Sequence, residues 1–194
     1  MNSSFSKGID EIEILVGEHD LLTNKDECQR YKLSRILEHP NYNEATVAFD
    51  FSLLVLKEKL QFSHYVRPIC LPVLSYAMSQ DQFADKLVTV SGWGLHTFTP
   101  VKNGHGPYAQ RLNKLSGMKV LSNRQCQALW NERSEEYGVT SIISAMICAK
   151  KANSSACFGD SGGKYLQKET ETAVHSFHLH LQVRLCTNRE TGTF

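Results

Sequence analysis

The chain has 194 residues, enough for one large domain or two small ones with a real core. Hydrophobic residues make up 41% and charged residues 21%, which excludes a disordered or fibrous chain. Twenty-one Lys and Arg oppose twenty Asp and Glu, so no basic excess exists to neutralise phosphates and no nucleic-acid partner is expected.

The first eight residues carry no basic segment, apolar core or small-residue cleavage site, so no signal peptide is read in this chain. Six cysteines nevertheless point to an oxidising compartment, which predicts a fragment or a late start. No apolar run of about 18 residues occurs, so no membrane-spanning helix is expected.

Ile12 and Ile14 alternate with Glu11 and Glu13, the period-two pattern of a half-buried strand running to Val16. Gly17 and the polar run to Asp26 mark a loop. Residues 31–37 read as a second strand, stopped before Pro40. Residues 49–56 form a nearly continuous apolar run, suited to a strand buried on both faces. Pro68 and Pro72 make residues 67–72 a connector, since proline cannot donate to a sheet ladder. Residues 73–86 read as a surface crossing and the best boundary, giving units 1–80 and 81–194.

Residues 87–90 are strand-like and lead into Ser91-Gly92-Trp93-Gly94. Residues 97–107 have the Pro and Gly content of a long loop. A short strand is predicted over 114–121. Ser122 and Gln125 have capping-box spacing, which predicts a short helix over 123–132. A further strand is predicted over 141–149. Many short strands, turn signals and one helix argue for an all-β barrel or sandwich.

Two features carry possible chemistry. Cys157-Phe158-Gly159-Asp160-Ser161-Gly162-Gly163 places a serine between glycines, where a tight turn exposes its hydroxyl and leaves backbone N–H groups for an anion. An ordinary glycine-rich turn is the alternative. Asp50 lies between Phe49 and Phe51, and a carboxylate buried there would need a partner. An aspartate at an exposed strand start is the alternative.

These stretches, taken in order, resemble the trypsin-like (chymotrypsin-fold) serine proteases. Val16-Gly17-Glu18-His19-Asp20 looks like the loop after the catalytic histidine. His39-Pro40-Asn41-Tyr42 and Asp50-Phe51-Ser52-Leu53-Leu54-Val55-Leu56 resemble the lead-in to the catalytic aspartate and its strand. Val66-Arg67-Pro68-Ile69-Cys70-Leu71-Pro72 and Val90-Ser91-Gly92-Trp93-Gly94 follow, then the serine motif. The resemblance spans residues 12–163, roughly four-fifths of the chain.

It implies an all-β fold of two antiparallel β-barrels, truncated, with one short helix. The implied activity is peptide-bond hydrolysis on protein or peptide substrates by a Ser-His-Asp triad, without a cofactor or resident metal. Ser161 would be the nucleophile and Asp50 the group that orients the base. The N–H groups of Gly159 and Ser161 would form the oxyanion hole. Asp160 would be the carboxylate that receives a new amino terminus on activation. Ser155, six residues before Ser161, would lie at the base of the specificity pocket. It is not an aspartate, so an apolar preference fits better than a basic one. The family also implies an extracellular location.

The sequence departs from the family at both ends. The family's histidine would fall near Phe5, and no Ala-Ala-His-Cys stands there. The histidines are His19, His39, His64, His96, His105, His175, His178 and His180, and none has that context. Without a base, the Ser161 hydroxyl is not activated, and little or no proteolysis is expected. A non-catalytic homologue that binds partners is the alternative. The family's Ile-Val-Gly-Gly activation sequence is absent too. After Gly163 the tail diverges from residue 164, and the family's final strands are not recognisable.

His178 and His180 would share a strand face but have no third metal ligand at firm spacing, so the cluster reads as solvated. Glu18, Asp20 and Glu27 are similar to a calcium loop that Lys25 and Cys28 interrupt. The family implies a Cys126–Cys148 disulfide, permits one between Cys157 and Cys186, and leaves Cys28 and Cys70 without assigned partners. Asn2-Ser3-Ser4 and Asn153-Ser154-Ser155 have glycosylation spacing, meaningful only on the secretory route.

Overall fold

The computed structural model describes residues 8–23, 28–46, 48–70, 83–95, 107–132, 141–144, 146–168 and 174–178. After a short 3-10 turn, Ile9–Glu11, come β1 (Glu13–Val16), β2 (Gln29–Glu38) and β3 (Ser52–Leu56). Then follow β4 (Leu87–Gly92), β5 (Asn113–Leu121), α1 (Asn123–Asn131), β6 (Cys148–Lys150), β7 (Lys164–Lys168) and β8 (Val174–His178). The strands form two antiparallel sheets, ordered β1-β2-β3 and β6-β5-β4-β7-β8. Neither closes on itself among the described residues, but the content is that of the two-barrel fold.

The core lies in the five-stranded sheet. Val88 and Val90 alternate inward along β4, with Leu115, Met118 and Val120 opposite on β5 and Ala156 above. Leu115 and Met118 are three apart, so strict alternation would place them on opposite faces. The register shifts where Val88 pairs with Met118 and Val90 with Leu115. Gly117 sits there at φ +73°, and the bulge returns both side chains to the core.

The three-stranded sheet corrects one expectation. The run 49–56 is not a strand buried on both faces. Only residues 52–56 are extended, and Leu53 and Leu54 are 64% and 46% exposed. β3 is an edge strand, paired only with β2 among the described residues, so apolar composition outruns its burial.

The predicted strand over 141–149 is a second correction. Only Cys148–Lys150 pairs with β5. The preceding backbone bonds elsewhere: Gln127 Oε1 of α1 accepts the Ile142 N–H at 2.6 Å, and Asn123 Nδ2 donates to the Ile143 carbonyl. Helix side chains thus replace ladder partners. The capping box forms as predicted, with Ser122 Oγ accepting from Gln125 N–H and Gln125 Oε1 accepting from Ser122 N–H. Beyond Gly163 the chain is not strandless. β7 pairs with β4, and β8 with β7.

The two sheets are joined by backbone. Leu21 N–H donates to the Gln110 carbonyl and Leu112 N–H to the His19 carbonyl. Between them Arg111 Nε donates to Asp20 Oδ2 at 2.8 Å. Asp20 is buried while Arg111 is largely exposed, so water screens one side of the pair. Arg111→Ala is expected to cost about 1 kcal/mol, read as a lower urea midpoint with unchanged slope. A loss of cooperativity instead would show that the two backbone bonds do not couple the sheets without the pair.

Candidate active site

The serine motif folds as two consecutive turns. Asp160 N–H donates to the Cys157 carbonyl and Gly163 N–H to the Asp160 carbonyl, both at 3.0 Å. Gly159 and Gly162 each take the third place of their turn, at φ +87° and +79°. Only glycine adopts this conformation without strain, which is why this sequence turns twice within seven residues. Ser161 occupies the second place of the second turn and is exposed. Among the described residues, neither the Gly159 nor the Ser161 N–H meets an acceptor.

Asp160 holds the turns in place. It is 1% exposed, with Oδ1 accepting from Gly94 N–H at 3.0 Å and Oδ2 from Cys157 N–H at 2.8 Å. Backbone donors thereby compensate for desolvating a carboxylate. Its space is made by glycine. A Cβ on Gly92 would fall on Asp160 Oδ1, and one on Gly94 would lie 2.5 Å from its Cγ. Leu95 N–H donates to the Phe158 carbonyl at 2.9 Å, closing the seat. The Tyr108 ring lies over Gly159, where a Cβ would meet its Cε1 at 2.6 Å.

The segment before the turns runs from surface to interior. Ser155 is half-buried, Ala156 is 5% exposed and Cys157 is 1% exposed. Cys157 is disulfide-bonded, whereas its expected partner Cys186 lies outside the described residues. Cys126 and Cys148 form a disulfide with Cα atoms 6.1 Å apart. Cys28 and Cys70 are not disulfide-bonded.

Asp50 belongs to the other sheet. It lies in the turn before β3, with Phe51 N–H donating to the Phe49 carbonyl at 2.8 Å across it, and its side chain is exposed. Phe49, at φ +55°, stacks on the His39 ring with centroids 4.9 Å apart, and Phe51 meets that ring at 4.6 Å. His39 Nδ1 accepts from Asn41 N–H. Partial desolvation, then the negative charges of Asp50, Glu44 and Glu38, hold the Tyr42 phenol above its ordinary value. Asp50 thus stands on an acidic, wet surface. It lies just before β3, outside the strand.

The remaining sequence candidates divide. Asp20 of the suggested calcium loop is taken up by Arg111, and Glu18 Oε1 accepts from His19 N–H. Glu27, His96, His105 and His180 lie outside the described residues, as do the side chains of His175 and His178. The roles of Gly92, Gly94 and Tyr108 were not read from sequence. The Gly-Trp-Gly spacing was the available signal: glycines two apart share one face of an extended chain and leave room for a buried side chain.

A fold of two antiparallel sheets with a glycine-cradled Gly-Asp-Ser-Gly-Gly turn defines a class, and the family comparison agrees. The Trypsin family model matches residues 4–187, and the chain belongs to the trypsin-like serine protease family. It is similar to Trypsin-1 of Astacus astacus, 31% identical over 82% of this chain and 60% of that protein. It is also similar to mannan-binding lectin serine protease 1 of Mus musculus, 27% identical over 88% of this chain and 22% of that one. A venom serine protease of Polistes dominula is 27% identical over 83% of this chain and 52% of that protein. The chain therefore spans less than two-thirds of the length of each. No helix among the described residues is long and apolar enough to cross a membrane.

Proposed function

We propose that this chain is a serine-protease domain whose Ser161 turn is laid out for a peptide carbonyl but which does not hydrolyse peptide bonds as it stands. The observation that carries the first half is the double turn. It exposes Ser161 and leaves the Gly159 and Ser161 N–H groups without a protein acceptor among the described residues, as the donors of an oxyanion hole must be. Asp160 serves there as the anchor, seated on backbone N–H groups. Ser155 forms the pocket floor, which favours an apolar side chain of a protein or peptide substrate.

The second half follows from the base. No histidine stands in the family's catalytic context, and the Asp50 carboxylate that would orient one is exposed. A serine without a base keeps its proton, and loss of the triad removes roughly a million-fold in rate. The acidic setting of exposed Asp50 and half-buried Tyr42 favours a second reading, a homologue that binds partners without catalysis. The Cys126–Cys148 disulfide supports an extracellular location.

A fluorophosphonate probe, paired with a melting curve, tests this. The expected result is a cooperative transition with no labelling of Ser161. Labelling at the rate of an active protease would overturn the inactive reading. An absent transition would remove the binding reading as well.

A further inference from the structure

We propose that Asn153 is an N-glycosylation site, and that Ser155 is shared between that site and the pocket floor. Asn153-Ser154-Ser155 has the acceptor spacing, and the fold presents it suitably. Lys151 and Ser154 bridge across a turn that leaves Ala152 and Asn153 at its tip. Asn153 is exposed, at φ +55°, a conformation that asparagine tolerates better than most residues. The chain then passes inward through half-buried Ser155 to buried Ala156 and Cys157. A glycan would therefore project from the outer end of a segment whose inner end abuts the serine motif.

The turn also lies between two disulfide-bonded cysteines, Cys148 and Cys157. Such bonds belong to the oxidising secretory compartments, where glycosyl donors of the lipid-pyrophosphate class are found. In the transfer, the Asn153 amide nitrogen forms a bond to the sugar C1 and loses one proton. The bond from C1 to the phosphate oxygen breaks, and the lipid pyrophosphate leaves with its electron pair. No oxidation or reduction occurs.

The acceptor also needs a hydroxyl at its third position, and here that is Ser155. Resting on the pocket reading above, this imposes an exclusion. An aspartate at position 155 would give the floor a negative charge suited to basic side chains, and would remove the hydroxyl. Floor charge and glycan cannot coexist in this segment.

The test expresses the full chain behind a cleavable secretory leader in animal cells, with Asn2→Gln throughout to silence the other sequon. Peptide-N-glycosidase treatment in heavy-oxygen water reads the modification by gel mobility and by an isotope-marked residue 153. The parent and Ser155→Thr are expected to shift; Asn153→Gln, Ser155→Ala and Ser155→Asp are expected not to. Leader-cleaved parent chain without a glycan would overturn the site. A glycosylated Ser155→Asp chain would overturn the sharing. Neither readout depends on Ser161 reactivity, so failure here is distinct from failure of the protease reading.

Discussion

Asp160→Ala is expected to lower stability by about 4 kcal/mol and the melting midpoint by about 8–16 °C. The alanine leaves two buried N–H groups, those of Gly94 and Cys157, without their carboxylate acceptor. Each orphaned donor costs about 1–3 kcal/mol, and the emptied volume adds to this. Asp160→Asn should cost less, near 2 kcal/mol, because its carbonyl can still accept one of the two bonds. Gly94→Ala attacks the same seat from the other side. Its Cβ would lie 2.5–2.7 Å from the Asp160 carboxyl atoms, an overpacking worth about 1–3 kcal/mol.

The double variant Gly94→Ala/Asp160→Ala decides whether these are one effect. With the carboxylate gone, the new methyl group has room, so the pair should cost less than the sum of the singles. Strict additivity in the denaturant midpoints would mean that Gly94 serves some purpose other than seating Asp160.

The depth at which the sequence was legible follows from the range of the forces involved. The capping box on α1 is decided within four residues, and Ser122 and Gln125 formed it as read. The β4 alternation is equally local, and Val88 and Val90 point inward. β3 was misread because apolar composition reports affinity for a core, not whether a neighbour arrives to supply one. The stretch before β6 was misread because side chains of α1 took its backbone partners, an event set by tertiary packing.

The site divides in the same way. The Gly-Asp-Ser-Gly-Gly turn is a local conformation that glycine alone allows, so it was visible. The cradle for Asp160 joins residues 92–94 to 157–160, a pairing no local pattern reveals. Asp50 shows the limit most clearly. Its apolar neighbours left both burial and an exposed strand start open, and the turn that brings it to β3 places it in water.

Replacing both Cys126 and Cys148 with serine is expected to cost about 3 kcal/mol. The bridge closes a loop of 22 residues, and the figure is the loop-closure entropy returned to the unfolded chain. For a chain of this size that lowers the melting midpoint by about 6–12 °C. Beyond this global loss, the effect should be largest at α1. α1 has nine residues, too few to be stable alone in water, so outside contacts must hold it. Those contacts are the buried Cys126 and the two bonds from Gln127 and Asn123 to the segment before β6. The disulfide fixes that segment's end at Cys148, and so keeps both bonds in register. Without it, amide exchange should accelerate more across α1 than across β4 and β5, whose core amides lose only the protection that goes with the global destabilisation. A uniform rise in exchange across both would show that the bridge stabilises the whole domain, with no special hold on the helix.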